Sequence, residues 1–376
     1  MLDRKHRLRR AGATAAIAIA VVMLAGCGDS TGPNNKQSAL RPAGPYARKI
    51  LNLTEPFFWI AVIIGLGVVA GTLYVGLRFR EKPGEERAPK QVHGNAVLEI
   101  SWTVIPALIL AIMAVPTVAT IFSLAKKPVG PNVVHITVTA RQWWWEMSYT
   151  DQGNELETAN EMHIPVGAPV SLTLQTPTCS PTPCYNNGVI HSFWIPALNG
   201  KKDVVPGRRQ FLKLEADKPG VYLGQCAEYC GLSHADMRMR VIAQTPADYQ
   251  LWVRSQQRQR TSETALQAAV NNKTYACSSC HSFKAKVPGV VAPNLANLAD
   301  RTAFAGDIYL TNYDNLWKWV YNAPSRKPMG KLNQHMPNFS AAPYNMTQAE
   351  AQKIACSLLT DTTSTPGPTP PECVGK

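Results

Sequence analysis

Two charge-free apolar stretches, Phe57–Leu77 and Val104–Leu124, constrain this chain more than any other feature. Each has the roughly 20 residues that a helix needs to cross bilayer hydrocarbon. Lipid offers backbone groups no partner, so such a segment has to bond to itself as a helix. Two in tandem argue against buried helices of a soluble core. Between them Arg78, Arg80, Lys82, Arg87 and Lys90 form a short basic loop, which the positive-inside tendency assigns to the cytoplasm. The expectation is a helix hairpin over residues 56–125, with everything after Leu124 outside. Glu99 lies about one turn before the second span, where an isolated carboxylate is an interfacial anchor or simply solvated.

The first residues read as a leader. Arg4, Lys5, Arg7, Arg9 and Arg10 precede an apolar run that ends in Leu24-Ala25-Gly26-Cys27. That ending resembles a bacterial lipoprotein cleavage box, so residues 1–26 are expected to be a lipoprotein-type signal peptide and Cys27 a lipidated N-terminus. Without residues 1–26, which hold five basic groups and one acidic group, the formal charge falls from +13 to +9. No basic run is interleaved with aromatics on a recognisable module, which argues against nucleic-acid binding. Residues 27–55, rich in Pro, Gly, Asn and Ser, read as a linker outside the cell membrane.

From residue 131 to 245 the pattern changes to short β-prone runs separated by Gly and Pro, among them Val133–Thr139, Trp143–Tyr149, Val170–Thr176 and Val221–Gln225. This spacing predicts an all-β sandwich or barrel. Between its last two strands lies Cys226-Ala-Glu-Tyr-Cys-Gly-Leu-Ser-His-Ala-Asp-Met237, which packs the thiols of Cys226 and Cys230, the imidazole of His234, the thioether of Met237 and the carboxylate of Glu228 into twelve residues. Thiolate and thioether sulfur suit soft copper. A structural zinc would take Cys226, Cys230, His234 and a distant His, but has little use for Met237. Gly231 supplies permissive backbone at the turn. His191, which opens an apolar strand after a Gly turn, is the best candidate for a further ligand; His135 and His163 read as ordinary strand histidines. The run Gln142-Trp-Trp-Trp145 predicts core packing with an exposed edge, and an exposed aromatic beside a metal loop can serve as an electron port.

Residues 246–270 are polar and read as a helical connector. Then comes Cys277-Ser-Ser-Cys280-His281, the spacing of a covalent c-type haem site with His281 as the proximal iron ligand. Residues 271–362 are expected to form a small helical domain and residues 363–376 a tail. Met336, on the Pro-bounded stretch His335-Met-Pro, is the preferred distal ligand, with Met329 its competitor and His335 a weaker alternative. Cys179 with Cys184, and Cys356 with Cys373, are each placed to close a short disulfide loop in an oxidising compartment.

Taken together these motifs resemble subunit II of the haem–copper cytochrome c oxidases, in the variety with a fused C-terminal cytochrome c. The resemblance rests on Leu98-Glu-Ile-Ser-Trp-Thr-Val-Ile-Pro106, Gln142-Trp-Trp-Trp145, His191-Ser-Phe-Trp-Ile-Pro196 and the 226–237 loop, and covers nearly all of residues 45–360. It implies a two-helix transmembrane hairpin, an all-β cupredoxin-like domain and an all-α class I cytochrome c-like domain. It also implies a dinuclear CuA centre bridged by Cys226 and Cys230, capped by His191 and His234, with Met237 a weak ligand and the Glu228 carbonyl a further one. The Glu228 side chain would reach a magnesium at the junction with the catalytic subunit, Trp143 would admit electrons, and Glu99 would stand near the mouth of a proton channel. Implied partners are subunit I and other oxidase subunits, with a quinol–cytochrome c reductase or a soluble cytochrome c as donor. The implied place is the bacterial cytoplasmic membrane, with copper and haem on its outer face. An independent membrane-tethered carrier is the rival reading. A nitrous-oxide-reducing enzyme would require a His-rich copper domain, and the eight histidines here do not cluster.

Overall fold

The computed structural model describes residues 37–80, 84, 91, 93–150, 156–177, 188–257, 275, 277–284, 291–329, 335–360 and 371–373. The leader with Cys27, the pair Cys179 and Cys184, and Lys82, Arg87 and Lys90 lie outside these residues.

Both apolar stretches are helical. Helix α1 spans Pro45–Arg78 and helix α2 spans Ala96–Ala125, each long and apolar enough to cross a membrane. Helix α1 starts inside the stretch read as linker, because its first turns are held by the β domain. Ala47 donates its amide to the Leu198 carbonyl (3.2 Å), and Arg48 pairs with Asp217 (2.9 Å). Pro45 in the first turn gives up no helical bond. Asn95 caps α2 by accepting from the amides of Val97 and Leu98, and Glu99 Oε1 accepts from the Asn95 amide (3.2 Å). At the far end of α2, Lys213 donates to the carbonyls of Ser123 (2.8 Å) and Lys126 (3.0 Å). These are orphan acceptors of a helix terminus, so one buried lysine seats the β domain on the hairpin.

The β domain is a sandwich of two five-stranded sheets. The strands are β1 (Val134–Arg141), β2 (Trp144–Tyr149), β3 (Leu156–Ala159), β4 (Glu161–Pro165), β5 (Val170–Gln175), β6 (His191–Trp194), β7 (Lys202–Val204), β8 (Gln210–Leu214), β9 (Gly220–Cys226) and β10 (Arg238–Gln244). One sheet runs β3-β2-β1-β5-β8 and the other β4-β10-β9-β6-β7. β1 pairs with β5 and β10 with β4 in parallel, and the remaining ladders are antiparallel. Period-two alternation turns Ile136, Val138 and Ala140 of β1 and Trp145 and Met147 of β2 inward against Leu172, Leu174, Phe193, Leu214, Met239 and Val241. Short strands β3 and β7 carry too little alternation to be read from sequence. This sandwich is cupredoxin-like, as the resemblance implied.

Helix α3 (Pro246–Gln257) leads away from the sandwich and stacks Trp252 flat on His163, with ring centroids 4.1 Å apart. The C-terminal region is helical with a two-stranded ribbon. It contains a 3-10 turn at Cys277–Ser279, β11 (Ala303–Phe304), β12 (Tyr309–Leu310), α4 (Tyr313–Asn322) and α5 (Gln348–Leu359). Asn312 caps α4, and Thr347 with Glu350 forms a capping box on α5. Its own core gathers Tyr275, Leu298, Phe304, Leu316, Val320, Phe339, Met346, Ile354 and Leu358. Cys356 and Cys373 form a disulfide, one of the two pairings the spacing suggested.

This region is seated on the sandwich. Glu161 accepts from the Thr302 amide (2.9 Å), Arg240 pairs with Asp307 (2.6 Å), and Arg238 donates its amide to the Gly306 carbonyl (3.0 Å).

Candidate metal centre

The cysteine loop leaves β9 at Cys226 and returns into β10 after Met237. It is closed by the Cys226 amide donating to the Met237 carbonyl (2.9 Å), and tied to β6 by Ala227 donating to Ser192 (2.9 Å). Inside, turn bonds from His234 to Gly231 and from Met237 to His234 coil the chain so that its soft side chains converge. Gly231 sits at φ +112, a region that side-chain-bearing residues avoid.

The sulfurs of Cys226 and Cys230 are 3.8 Å apart, both thiols being free. His191 Nδ1 lies 3.8 Å from Cys226 Sγ, and His234 Nδ1 lies 3.6 Å from Cys230 Sγ. Met237 Sδ is 3.8 Å from Cys230 Sγ, and the Glu228 carbonyl is 3.3 Å from Cys226 Sγ. Cys226, Cys230, His191 and Met237 are buried, whereas Tyr229 and Leu232 of the same loop face outward. The hydrogen bond between the two sulfurs holds Cys226 far below the usual thiol range and pushes Cys230 up. Two thiolates, two imidazole nitrogens, a thioether and a carbonyl within one buried pocket form a donor set fitted to copper rather than to hard cations.

Gln142 and Trp143 brace the loop from outside. Gln142 Nε2 (2.7 Å) and Trp143 Nε1 (2.9 Å) both donate to the Cys230 carbonyl. Trp145 is the core member of the run, edge-on to Phe193 and His191. Trp143, which the resemblance gave as the electron entry, is only 5% exposed, because the C-terminal region covers it. His335 stacks on its indole at 5.0 Å and 21°. Lys327, 4% exposed, donates to the carbonyls of Trp143, Asp236 and Ala305, each at 2.9 Å. Burial pushes the Lys327 ammonium down to about 7. Sequence reading singled out neither Lys327 nor the stacking role of His335, since neither lies in a local pattern with the loop it serves.

The second candidate site surrounds His281. Its amide and that of Cys280 both donate back to the Cys277 carbonyl, forming one tight turn that carries both free thiols. His281 Nδ1 is 2.7 Å from the Pro293 carbonyl. A carbonyl only accepts, so Nδ1 carries the proton and Nε2 keeps its lone pair, as iron ligation requires. Burial holds His281 below the usual imidazole range and pushes Cys277 up to about 11. The residues therefore fit a covalent c-type haem. Met336 packs against both hydrophobic clusters, including the one with Cys277 and Phe283, whereas Met329 packs with the sandwich core. Glu99 stands apart at the start of α2, and the Glu228 side chain is half-buried at the loop surface.

A cupredoxin-like sandwich that carries a buried two-thiol, two-imidazole, one-thioether loop and hangs from two membrane-length helices defines a class of membrane-anchored copper proteins of respiratory chains. Residues 134–244 match the cytochrome c oxidase subunit II periplasmic domain, of the CuA-binding type, and residues 33–120 match the transmembrane domain of the same subunit. The chain belongs to the cytochrome c oxidase subunit II family. It is 37% identical over 312 residues to cytochrome c oxidase subunit 2 of Alkalihalophilus pseudofirmus, covering 81% of this chain and 86% of that one. Over 350 residues it is 32% identical to cytochrome c oxidase subunit 2 of Bacillus subtilis, covering 88% and 93%. Quinol oxidase subunit 2 of Bacillus cereus is 32% identical over 242 residues, covering 63% and 77%. Residues 1–244 make up about 65% of the 376-residue chain, so the first two likenesses extend into the C-terminal region, whereas the third can be accommodated without it. The helices are thus a membrane anchor, the β domain is periplasmic, and the chain is an electron-transfer subunit of an oxidase complex.

Proposed function

We propose that this chain is the electron-input subunit of a proton-translocating cytochrome c oxidase in a bacterial cytoplasmic membrane. In this reading residues 131–245 hold a dinuclear CuA centre and residues 271–362 hold a covalent haem c. When bound, the copper pair and the haem supply reversible one-electron chemistry between an external cytochrome or reductase and a separate haem–copper catalytic subunit.

The observation that carries the reading is the convergence of three sulfurs, two imidazole nitrogens and one carbonyl from β6 and the 226–237 loop. Cys226 and Cys230, 3.8 Å apart, can each touch two ions, and His191 and His234 stand one beside each sulfur. Met237 and the Glu228 carbonyl complete the set as weaker ligands. Gln142 and Trp143, bonded to the Cys230 carbonyl, stiffen the loop, so that its ligands move little between redox states. His281 is oriented by Pro293 to present Nε2, with Cys277 and Cys280 alongside for thioether attachment. Met336, packed on the cluster that holds Cys277, is the preferred distal ligand. Trp143 is the electron entry, Glu99 stands at the mouth of a proton channel, and the Glu228 side chain binds magnesium against the catalytic subunit. An independent tethered carrier has no use for those last two carboxylates. Cytochrome c is favoured over quinol as the donor class by the wider reach of the cytochrome c oxidase likeness.

Loading the full chain with copper and haem and recording its electron-spin and optical spectra tests this. Cys226→Ser abolishes the mixed-valence copper signal; its survival sinks the assignment. Met237→Leu keeps copper but shifts the near-infrared band and potential. Met336→Ala removes the Met–iron band, and persistence of that band transfers the role to Met329.

A further inference from the structure

The covering of Trp143 is stronger than a tether requires. Its carbonyl accepts from Lys327, its indole nitrogen donates to the Cys230 carbonyl, and its ring face is closed by His335. The first and last of these come from the C-terminal region.

Lys327 is the centre of that contact. An ammonium has three N–H groups, and here each meets a carbonyl from a different segment. Trp143 belongs to the β1–β2 turn, Asp236 to the metal loop, and Ala305 to the β11–β12 ribbon. The surroundings are shaped to this cation. Gly306, at φ +85, brings the ribbon backbone so close that a Cβ there would meet the Asp236 carbonyl and would lie 2.6 Å from Lys327 Nζ. Ser233 of the metal loop donates to the Pro328 carbonyl next along the chain. Other polar ties, Arg240 to Asp307, the Arg238 amide to Gly306 and Glu161 to Thr302, start from β10 and β4 rather than from Trp143.

We propose that Lys327 is a positioning residue: by binding the Trp143 and Asp236 carbonyls it holds the C-terminal domain seated on the metal loop, keeps His335 stacked on the Trp143 indole, and closes that face to any external protein. The donor domain is then a standing partner rather than one that finds its site by diffusion on a tether. An external donor docks on the C-terminal domain and never on Trp143. The consequence for electron flow rests on the function proposed above, whereas the lock itself is a property of the chain without copper or haem.

Hydroxyl-radical footprinting of the full-length chain in detergent, read by mass spectrometry at each tryptophan, tests the lock. Trp144, half-buried beside it, and Trp145, in the core, serve as internal references. In the wild type Trp143 labels far more slowly than Trp144. Labelling at the Trp144 rate shows that the domain is merely tethered and overturns the proposal. Lys327→Met raises Trp143 labelling at least tenfold and leaves Trp145 protected; unchanged protection of Trp143 refutes the positioning role. If Trp145 labelling also rises, the sandwich itself is disturbed, and Gly306→Ala decides from the opposite side of the contact. It must expose Trp143 too, and persistent protection there sinks the idea. In the copper-loaded chain Lys327→Met also lowers the potential of the metal loop, since both the lost cation and the water admitted on opening favour the oxidised form; an unchanged potential refutes the positioning role. Failure of the redox reading would appear separately, as a missing copper signal with the footprint intact.

Discussion

Gly231→Ala strikes the one glycine among the described residues whose space is filled by the side chains that brace the metal loop. Its φ of +112 is costly for any L side chain, and the added Cβ would stand 3.0 Å from Trp143 Cζ2 and 3.3 Å from Gln142 Nε2. Neither neighbour can retreat freely, because both donate to the Cys230 carbonyl at 2.9 and 2.7 Å. Backbone strain of this kind costs about 1–3 kcal/mol. Loosening one of the two hydrogen bonds adds about 1 kcal/mol. Together they make about 3 kcal/mol, which for a domain of roughly 100 residues lowers the melting temperature by about 12 °C. The assay is thermal unfolding of the metal-free full-length chain, followed by tryptophan fluorescence. Gly167→Ala is the control, because Gly167 also has positive φ, at +73, but its Cβ would meet nothing within 4 Å. Gly167→Ala reports strain alone, and the excess loss in Gly231→Ala reports the brace. Equal melting of the two variants would refute the claim that Gln142 and Trp143 support the loop through Cys230.

Asp307 gives a pH test of the domain interface. Burial raises its carboxyl to about 6, more than Arg240 lowers it. The folded chain therefore binds more protons than the unfolded chain between about pH 4 and pH 6, so this group's contribution to stability falls as pH rises through that window. The stability of the wild type relative to Asp307→Asn should be greatest near pH 4 and shrink toward pH 7, measured by urea unfolding at each pH. The opposite slope would mean that the Arg240 pair outweighs burial. Replacing both Cys356 and Cys373 by Ala, with a sequence separation of 17 between them, should destabilise the C-terminal domain by about 3 kcal/mol through chain entropy. Unfolding of wild type and variant under oxidising conditions checks it, and reductant should erase the difference.

Local pattern carries much of this protein. A hairpin of helices follows from two charge-free runs, because lipid leaves the backbone no partner but itself. The ligand loop is legible for a related reason: Cys226, Cys230, His234 and Met237 are neighbours in sequence because one tight turn must present them together. The same holds for Cys277, Cys280 and His281. His191 is harder to read, since it lies 35 residues before Cys226 and only its place at the head of an apolar strand and the unfinished ligand set point to it.

Tertiary structure alone decided what surrounds those sites. That α1 starts at Pro45 depends on Leu198 and Asp217, more than a hundred residues away, and no helix propensity encodes that bond. The alternation of β2 correctly buries Trp145, whereas Trp143 lies in the turn before the strand and its ring face is covered by the C-terminal region. Lys327 looks like an ordinary polar residue along the chain and His335 like an alternative iron ligand, and their place against Trp143 emerges only where the fold brings them there. Sequence by itself determined which atoms are available to hold metal, because ligand chemistry is a property of side chains and short spacings. Whether those atoms are open to a partner or already covered was decided by packing between segments far apart in the chain, where burial and hydrogen-bond geometry are set by the whole fold.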